Sequence, residues 1–437
     1  MSGPAIGFVS TRGGTAAPIG ISEAIERGLA PDGGLFVPTE MPRVDLRRSW
    51  DTENLSSVAN AALAGFFAGD RLAAHLPAIT GSALNLRAPT TQVERSNAPL
   101  YVLELFHGPT AAFKDFGARF LAESLQRLQS PGGRHITILV ATSGDTGGAV
   151  AAAFHRRPWA RVVVLFPKDL VSARQEKQLT CWGDNVIALR VGGTFDDCQR
   201  MVKEAFLDQQ LQRQHRFSSA NSINIGRLLP QLVYYAASSL ELSRRTGTAP
   251  SYIIPSGNLG NVSAALWARL LGFPVGRIVL AHNLNRTVPD YLRTGLWQPR
   301  PSVATLASAM DVGNPSNMER LRNAFPTIEL LRHEFTAVGI DDETIKSRTR
   351  ADFEAYGRVW CPHTATAAEV YARLSAEERT QPWVIVATAH PAKFNDVVES
   401  LIGHSIDVPE ALARLLNLPS HCADIPPTLA ALAASIQ

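Results

Sequence analysis

Glu104-Leu105-Phe106-His107-Gly108-Pro109-Thr110-Ala111-Ala112-Phe113-Lys114-Asp115 is the stretch from which the fold of this chain can be read. The apolar run Pro99 to Phe106 predicts a strand, and the Gly108-Pro109 pair breaks it. Apolar residues at Phe113, Phe116, Phe120, Leu121, Leu125 and Leu128 then predict a helix over Phe113–Leu128. This arrangement places Lys114 at a helix N-terminus close to two phenylalanines. Burial and the positive end of the helix both disfavour an ammonium, so its pKa should fall. A neutral amine is what a lysine needs to form a Schiff base. The same local sequence also fits a surface lysine snorkelling off a helix start.

The chain has 437 residues, enough for two or three domains and a large core. Hydrophobic residues make up 45% and charged residues 19%, the balance of a globular protein rather than a disordered one. A net charge of +3 is too mild to argue for nucleic acid or a membrane surface. The four cysteines, Cys181, Cys198, Cys361 and Cys422, form no Cys-x-x-Cys pair and have no His-rich spacing around them. A zinc site or disulfide framework is therefore not expected, and the thiols are read as reduced. Met1-Ser2-Gly3-Pro4-Ala5 lacks a basic region followed by an apolar one, and no apolar run approaches the ~18 residues of a membrane span. The resulting expectation is a cytoplasmic protein with no metal.

Residues 1–97 predict a mainly helical region, with helical spacing at Ser22–Leu29, Asn54–Phe67 and Asp70–His75 and a small ribbon from Val9 and Leu35–Pro38. From about residue 98 the pattern alternates between strand-like and helix-like segments. Strand-like runs fall at Leu100–Leu105, Ile136–Ala141, Arg161–Phe166, Val186–Val191, Ser251–Pro255, Arg277–Ala281 and Trp383–Thr388. Helical segments between them include Gly147–Phe154, Thr194–Gln209, Leu228–Arg244 and Val262–Leu271. Such alternation predicts an α/β fold of open, twisted, mainly parallel sheets flanked by helices. The number of runs argues for two sheets, one holding Ile136, Val162 and Val186 and the other Tyr252, Ile278 and Val384. The corresponding division is an N-terminal region 1–97, a large domain of 98–133 and 236–437, and a small α/β domain 134–235.

Four further motifs carry chemistry. Ser256-Gly257-Asn258-Leu259-Gly260-Asn261 follows a predicted strand and opens a helix, and its two glycines let backbone N–H groups converge on an anion such as phosphate. It has neither a Walker ending nor a dinucleotide fingerprint, and a plain strand-to-helix turn is the bland alternative. Thr142-Ser143-Gly144-Asp145-Thr146-Gly147 sits between a strand and a helix. Its hydroxyls and amides suit a carboxylate, and Asp145 suits a polar ring substituent; alternatively Ser143, Asp145 or Thr146 merely caps the helix. Asn221-Ser222-Ile223-Asn224-Ile225-Gly226-Arg227 precedes a helix and offers amides and one forked guanidinium to a phosphate or carboxylate, or else a structural ion pair. In Thr388-Ala389-His390-Pro391-Ala392-Lys393-Phe394 the Thr388 hydroxyl can bond an uncharged ring nitrogen, while His390 and Lys393 read as structural. His363 reads as a packing or capping histidine. Ligands of open α/β sheets bind at the C-terminal ends of strands, where four of the five motifs fall. An imine-forming lysine, a phosphate cradle and a hydroxyl for a pyridine nitrogen are the parts of a pyridoxal 5'-phosphate site.

With these motifs in hand, the chain resembles the threonine synthase family from about residue 8 to beyond residue 393. The resemblance rests on Leu103–Gly117, Ser143–Gly147, Ser256–Asn261, Asn221–Asn224 and Thr388–Phe394, together with Phe8–Gly13, Leu29–Pro38 and Met310–Asn317. It implies a fold type II pyridoxal phosphate enzyme, similar in architecture to the tryptophan synthase β subunit. The implied reaction converts O-phospho-L-homoserine and water into L-threonine and phosphate. Lys114 matches the Schiff-base lysine, and Gly257, Asn258, Leu259, Gly260 and Asn261 match the cofactor phosphate loop. Thr388 matches the hydroxyl near the pyridine nitrogen. Asp145 stands where a related branch has an Asn beside the cofactor 3′-oxygen. Asn221 and Arg227 match residues near the substrate phosphate, and Ser143 and Thr146 match the loop near its carboxylate. The N-terminal region is similar to the branch without an effector-binding extension. The resemblance implies a small-molecule enzyme working as a monomer or homodimer. A phospho-lyase acting on a related phosphorylated amino acid, or a non-catalytic metabolite-binding relative, fits the same residues.

Overall fold

The computed structural model describes residues 6–14, 17–130 and 132–437. Met1–Ala5, read above for a targeting segment, lies outside them. Two sheets organise the chain. The larger has six strands in the order Phe335–Gly339, Ile278–His282, Ser251–Pro255, Trp383–Ala387, Leu100–Glu104 and Thr90–Gln92. All its pairings are parallel except the last, where Thr90–Gln92 runs antiparallel to Leu100–Glu104. The smaller sheet has five parallel strands, Ala423–Ile425, Val186–Val191, Ala160–Pro167, Ile136–Ala141 and Arg216–Ser219. Its central strand pairing sets Ile136 opposite Ala160 and Ala141 opposite Leu165. Helices cover both faces of such sheets, so inner strands are buried on both sides and read as unbroken apolar runs; Ile136–Ala141, Ser251–Pro255, Ile278–His282 and Trp383–Ala387 are buried throughout. Near the N-terminus, Phe8–Ser10 and Phe36–Pro38 form an antiparallel ribbon.

The segments that sequence patterning passed over are short edge strands. Arg216–Ser219 contributes only Phe217 as a large apolar side chain, and Thr90–Gln92 contributes none. Each exists because an unpaired sheet edge is available, a tertiary cause that local sequence does not carry. Two of these segments also depart from the domain division drawn above. Thr90–Gln92 ties the stretch before residue 97 to the larger sheet. The tail returns to the smaller sheet, with Ala423–Ile425 beside Val186–Val191 and with Leu432 and Ile436 packed into the same core. The helix Ile225–Thr246, 22 residues long and buried from Ile225 to Leu240, crosses the proposed boundary at 235 and lies among the surrounding elements. It stops at Gly247, whose left-handed backbone closes the last turn onto the Ser243 carbonyl.

Candidate active site

Lys114 is the first residue of the helix Lys114–Arg127, which follows the larger-sheet strand Leu100–Glu104. The turn before it is held at several points. The buried Asp115 carboxylate accepts the Thr110 N–H at 2.9 Å and the Thr110 hydroxyl at 2.7 Å. Ala111 takes a left-handed conformation, φ 54°, uncommon for a residue with a Cβ and characteristic of over-determined sites. The Phe113 N–H donates to the Thr388 carbonyl at 2.9 Å, and Ala112 forms a β-bridge with Ala389. The lysine is thereby fixed beside the end of the neighbouring strand Trp383–Ala387. Lys114 is partly buried, with its Nζ 5.8 Å from the centre of the Phe113 ring. Burial brings its ammonium down to about 8. Asp145 opposes that shift, and the positive charges of Arg227 and Lys393 assist it.

The glycine-bearing turn joins the strand Ser251–Pro255 to the helix Gly260–Leu270. Leu259, at the helix entry, is again left-handed at φ 60°. A Cβ on Gly257 would lie 2.8 Å from the Met310 Cα, so backbone meets backbone there and only glycine fits. Asn258 bonds the Ser316 N–H through Oδ1 and the Ser222 hydroxyl through Nδ2, and the Asn317 amide donates to its carbonyl at 2.9 Å. Asn261 accepts the Tyr234 and Tyr235 hydroxyls at 2.6 and 2.9 Å on Oδ1, while its Nδ2 is buried with no partner among the described residues. A buried donor without an acceptor is costly. Together with the free amides of the first helical turn it fits a phosphate group, which supplies acceptors to both.

On the opposite side stand the smaller-sheet motifs. Asp145 opens the helix Asp145–Phe154 directly after Ile136–Ala141. Neither Ser143, Asp145 nor Thr146 caps that helix. The Thr142 hydroxyl instead accepts the N–H groups of Gly144 and Gly147 at 3.0 and 2.9 Å, leaving Ser143 and Thr146 as partly buried side chains flanking Asp145. Asn221 and Arg227 bracket the start of the long helix after Arg216–Ser219, so all five motifs lie at C-terminal strand ends. Arg227 is buried, packs against Gly117 one turn along from Lys114, and bonds the Ala220 carbonyl. A Cβ at residue 117 would sit 2.8 Å from its Nε, and that Nε is itself buried with no partner among the described residues. Burial lowers its guanidinium to about 10, with Asp115 opposing, so it stays charged at neutral pH.

Three groups at this cleft were read from sequence as structural or passed over. Lys393 is fully buried and pairs with Asp145 at 2.7 Å, and that carboxylate is held far below the usual range by Lys393 and Lys114 acting against burial. Gln175 donates to the same Asp145 oxygen at 3.0 Å. His363 is buried with its Nε2 accepting the Ala309 N–H at 3.0 Å. Burial brings its imidazole down to about 4, and the charges of Asp145, Lys114 and Lys393 all act on it. Lys393 falls within a motif singled out above, but its partner lies in the other sheet, and no spacing along the chain announces that meeting.

All four cysteines are free, three of them buried. Among the described residues no group of side chains is arranged to hold a metal, and no helix is long and apolar enough to cross a membrane.

Residues 81–389 match the family of pyridoxal-phosphate dependent enzymes, residues 7–84 the threonine synthase N terminus, and residues 364–436 the threonine synthase C-terminal family. The threonine synthase of Escherichia coli K12 is 38% identical over 417 residues, covering 95% of both chains. That of Haemophilus influenzae is 39% identical over 399 residues, covering 91% of this chain and 92% of its own. The structure of PLP-bound threonine synthase from Brucella melitensis superposes with a TM-score of 0.89 at 33% identity, covering 98% of each chain. The chain therefore belongs to the threonine synthase family of fold type II, pyridoxal phosphate-dependent enzymes.

Proposed function

We propose that this protein converts O-phospho-L-homoserine and water into L-threonine and phosphate, with pyridoxal 5'-phosphate as its cofactor. The observation that carries the reading is an amine lowered to about 8 at Lys114, taken with two buried donors that have no partner among the described residues, Asn261 Nδ2 and Arg227 Nε, the second set against Gly117 one turn along the Lys114 helix. One suits the phosphate of the cofactor and the other that of the substrate. Lys114 would hold the cofactor covalently through its neutral amine, and the same amine would take the α proton of the substrate. When bound, pyridoxal phosphate stores the electron pair left at that carbon. Gly257 to Asn261 hold the cofactor phosphate. The Thr388 hydroxyl would serve as hydrogen-bond partner of an uncharged ring nitrogen, and Asp145 would serve the polar ring substituent. Arg227 and Asn221 bind the substrate phosphate and stabilise the charge it gains as its bond to the γ carbon breaks. Ser143 and Thr146 bind the substrate carboxylate.

The reaction takes place between a large and a small sheet domain, in the cytoplasm, on a free small molecule. The test is turnover of O-phosphohomoserine by purified protein, followed by phosphate release and amino-acid analysis. Threonine and phosphate in equal amounts are expected. Phosphate accompanied by 2-oxobutanoate, or no turnover, overturns the reading.

A further inference from the structure

The cleft contains two lysines, and their surroundings differ. Lys393 is wholly buried in the turn Pro391–Phe394. Its Nζ lies 2.7 Å from Oδ1 of Asp145 and donates to the Thr110 carbonyl at 2.8 Å. The turn is also bonded to the smaller-sheet side through its backbone, since the Ser172 hydroxyl donates to the Lys393 carbonyl at 2.8 Å and the Arg174 guanidinium to that of Ala392. Lys393 is therefore rigidly placed, between the carboxylate of one sheet and the turn that leads to Lys114 in the other.

Four charged or titratable groups interact electrostatically with Lys114: Asp145 at its helix start, Arg227 on the long buried helix, Lys393 in its turn, and His363 at the start of the helix Pro362–Ala372. Asp145 is the single carboxylate among them. A carboxylate facing a buried ammonium ordinarily captures it and holds it protonated. After Lys393, the next ammonium acting on Asp145 is that of Lys114. Resting on the reading of Lys114 as the covalent lysine, we infer that Lys393 is a positioning residue: by occupying Asp145 in a buried ion pair it denies that carboxylate to Lys114 and leaves the Lys114 amine free for covalent chemistry. Arg227 adds a second positive charge acting on the same amine but gives its hydrogen bond to the Ala220 carbonyl, while Asp145 pairs with Lys393, so Arg227 does not substitute for Lys393 in this role.

Competitive acetylation of the full-length apoprotein with acetic anhydride, read at Lys114 by peptide mass spectrometry across pH, tests the inference. The wild-type midpoint is expected near pH 8. Lys393→Met should move it up by at least about one pH unit, a roughly tenfold loss of reactivity at neutral pH. Lys393→Arg, which keeps the pair, should leave it in place. The double variant Asp145→Asn with Lys393→Met should return it to the wild-type position or below. Lys393→Gln, which retains a donor for Asp145 but no charge, carries the same expectation as Lys393→Met if that variant does not fold. An unmoved midpoint in whichever neutral variant folds overturns the inference. Borohydride trapping of cofactor-loaded wild type separates the two readings. Label on Lys114 upholds its covalent role whatever the midpoints do, and label on Lys393 removes both.

Discussion

The turn before Lys114 and the turn that carries Lys393 are joined by the Ala112–Ala389 bridge, yet they treat a buried lysine in opposite ways. Around Lys393 two oxygens receive the amine, a carboxylate at 2.7 Å and a carbonyl at 2.8 Å. Around Lys114 the neighbours are the Phe113 ring, two cations and a carboxylate already in use elsewhere. Burial costs a charged group far more when no partner compensates it. The same side chain is thus tied into an ion pair in one turn and a latent nucleophile in the other. Where the counter-charge goes decides the chemistry.

Four experiments break or sharpen this contrast. The largest effect belongs to Lys114→Ala, which should abolish the visible absorbance of the holoenzyme and lower turnover by about 10⁴-fold, the upper range for a positioned general base. If the absorbance persists because the cofactor has moved to Lys393, the contrast fails. Next comes Arg227→Ala, expected to raise KM for the phosphorylated substrate ~10²-fold, the scale of a lost buried charge-assisted contact, with a smaller change in kcat. An unchanged KM in steady-state kinetics removes Arg227 from the substrate site.

Gly257→Ala should follow, since its new methyl meets the Met310 backbone at 2.8 Å. Overpacking of this kind costs about 1–3 kcal/mol, read as a lower melting temperature of the apoprotein and weaker cofactor binding in titration. Gln175→Ala should be the mildest. It removes one of two donors to Asp145 while Lys393 remains, for about 1 kcal/mol in denaturant unfolding. The pH behaviour of Lys114 sharpens the same comparison. Its reactive form is the neutral amine, so labelling should rise with pH, reach half its limit near pH 8 and then level off. A surface lysine reaches half its limit only near pH 10.4.

Much of the site was legible along the chain because strand-to-helix turns write themselves locally. Glycines at 257 and 260, an asparagine at 261 and a lysine just past a Gly-Pro break each mark a backbone that turns sharply and opens a helix, and the structure places all of them at strand ends. The capping of the Asp145 helix was less legible. Three residues were candidates, and the hydroxyl of a fourth, Thr142, does the work because only its geometry reaches back to two amides at once. The pairing of Asp145 with Lys393, the seat of Arg227 over Gly117 and the position of His363 beside the cleft were not legible at all.

By itself the amino-acid order determined which segments are inner strands, where helices begin, and which lysine stands at the helix entry. These are local consequences of apolar periodicity and of the backbone freedom of a few residues. Only the tertiary structure decided which charge meets which, and which short polar segments become edge strands. Those outcomes depend on groups brought together from separate sheets, and the free energy of a buried charge is set by its neighbours in space.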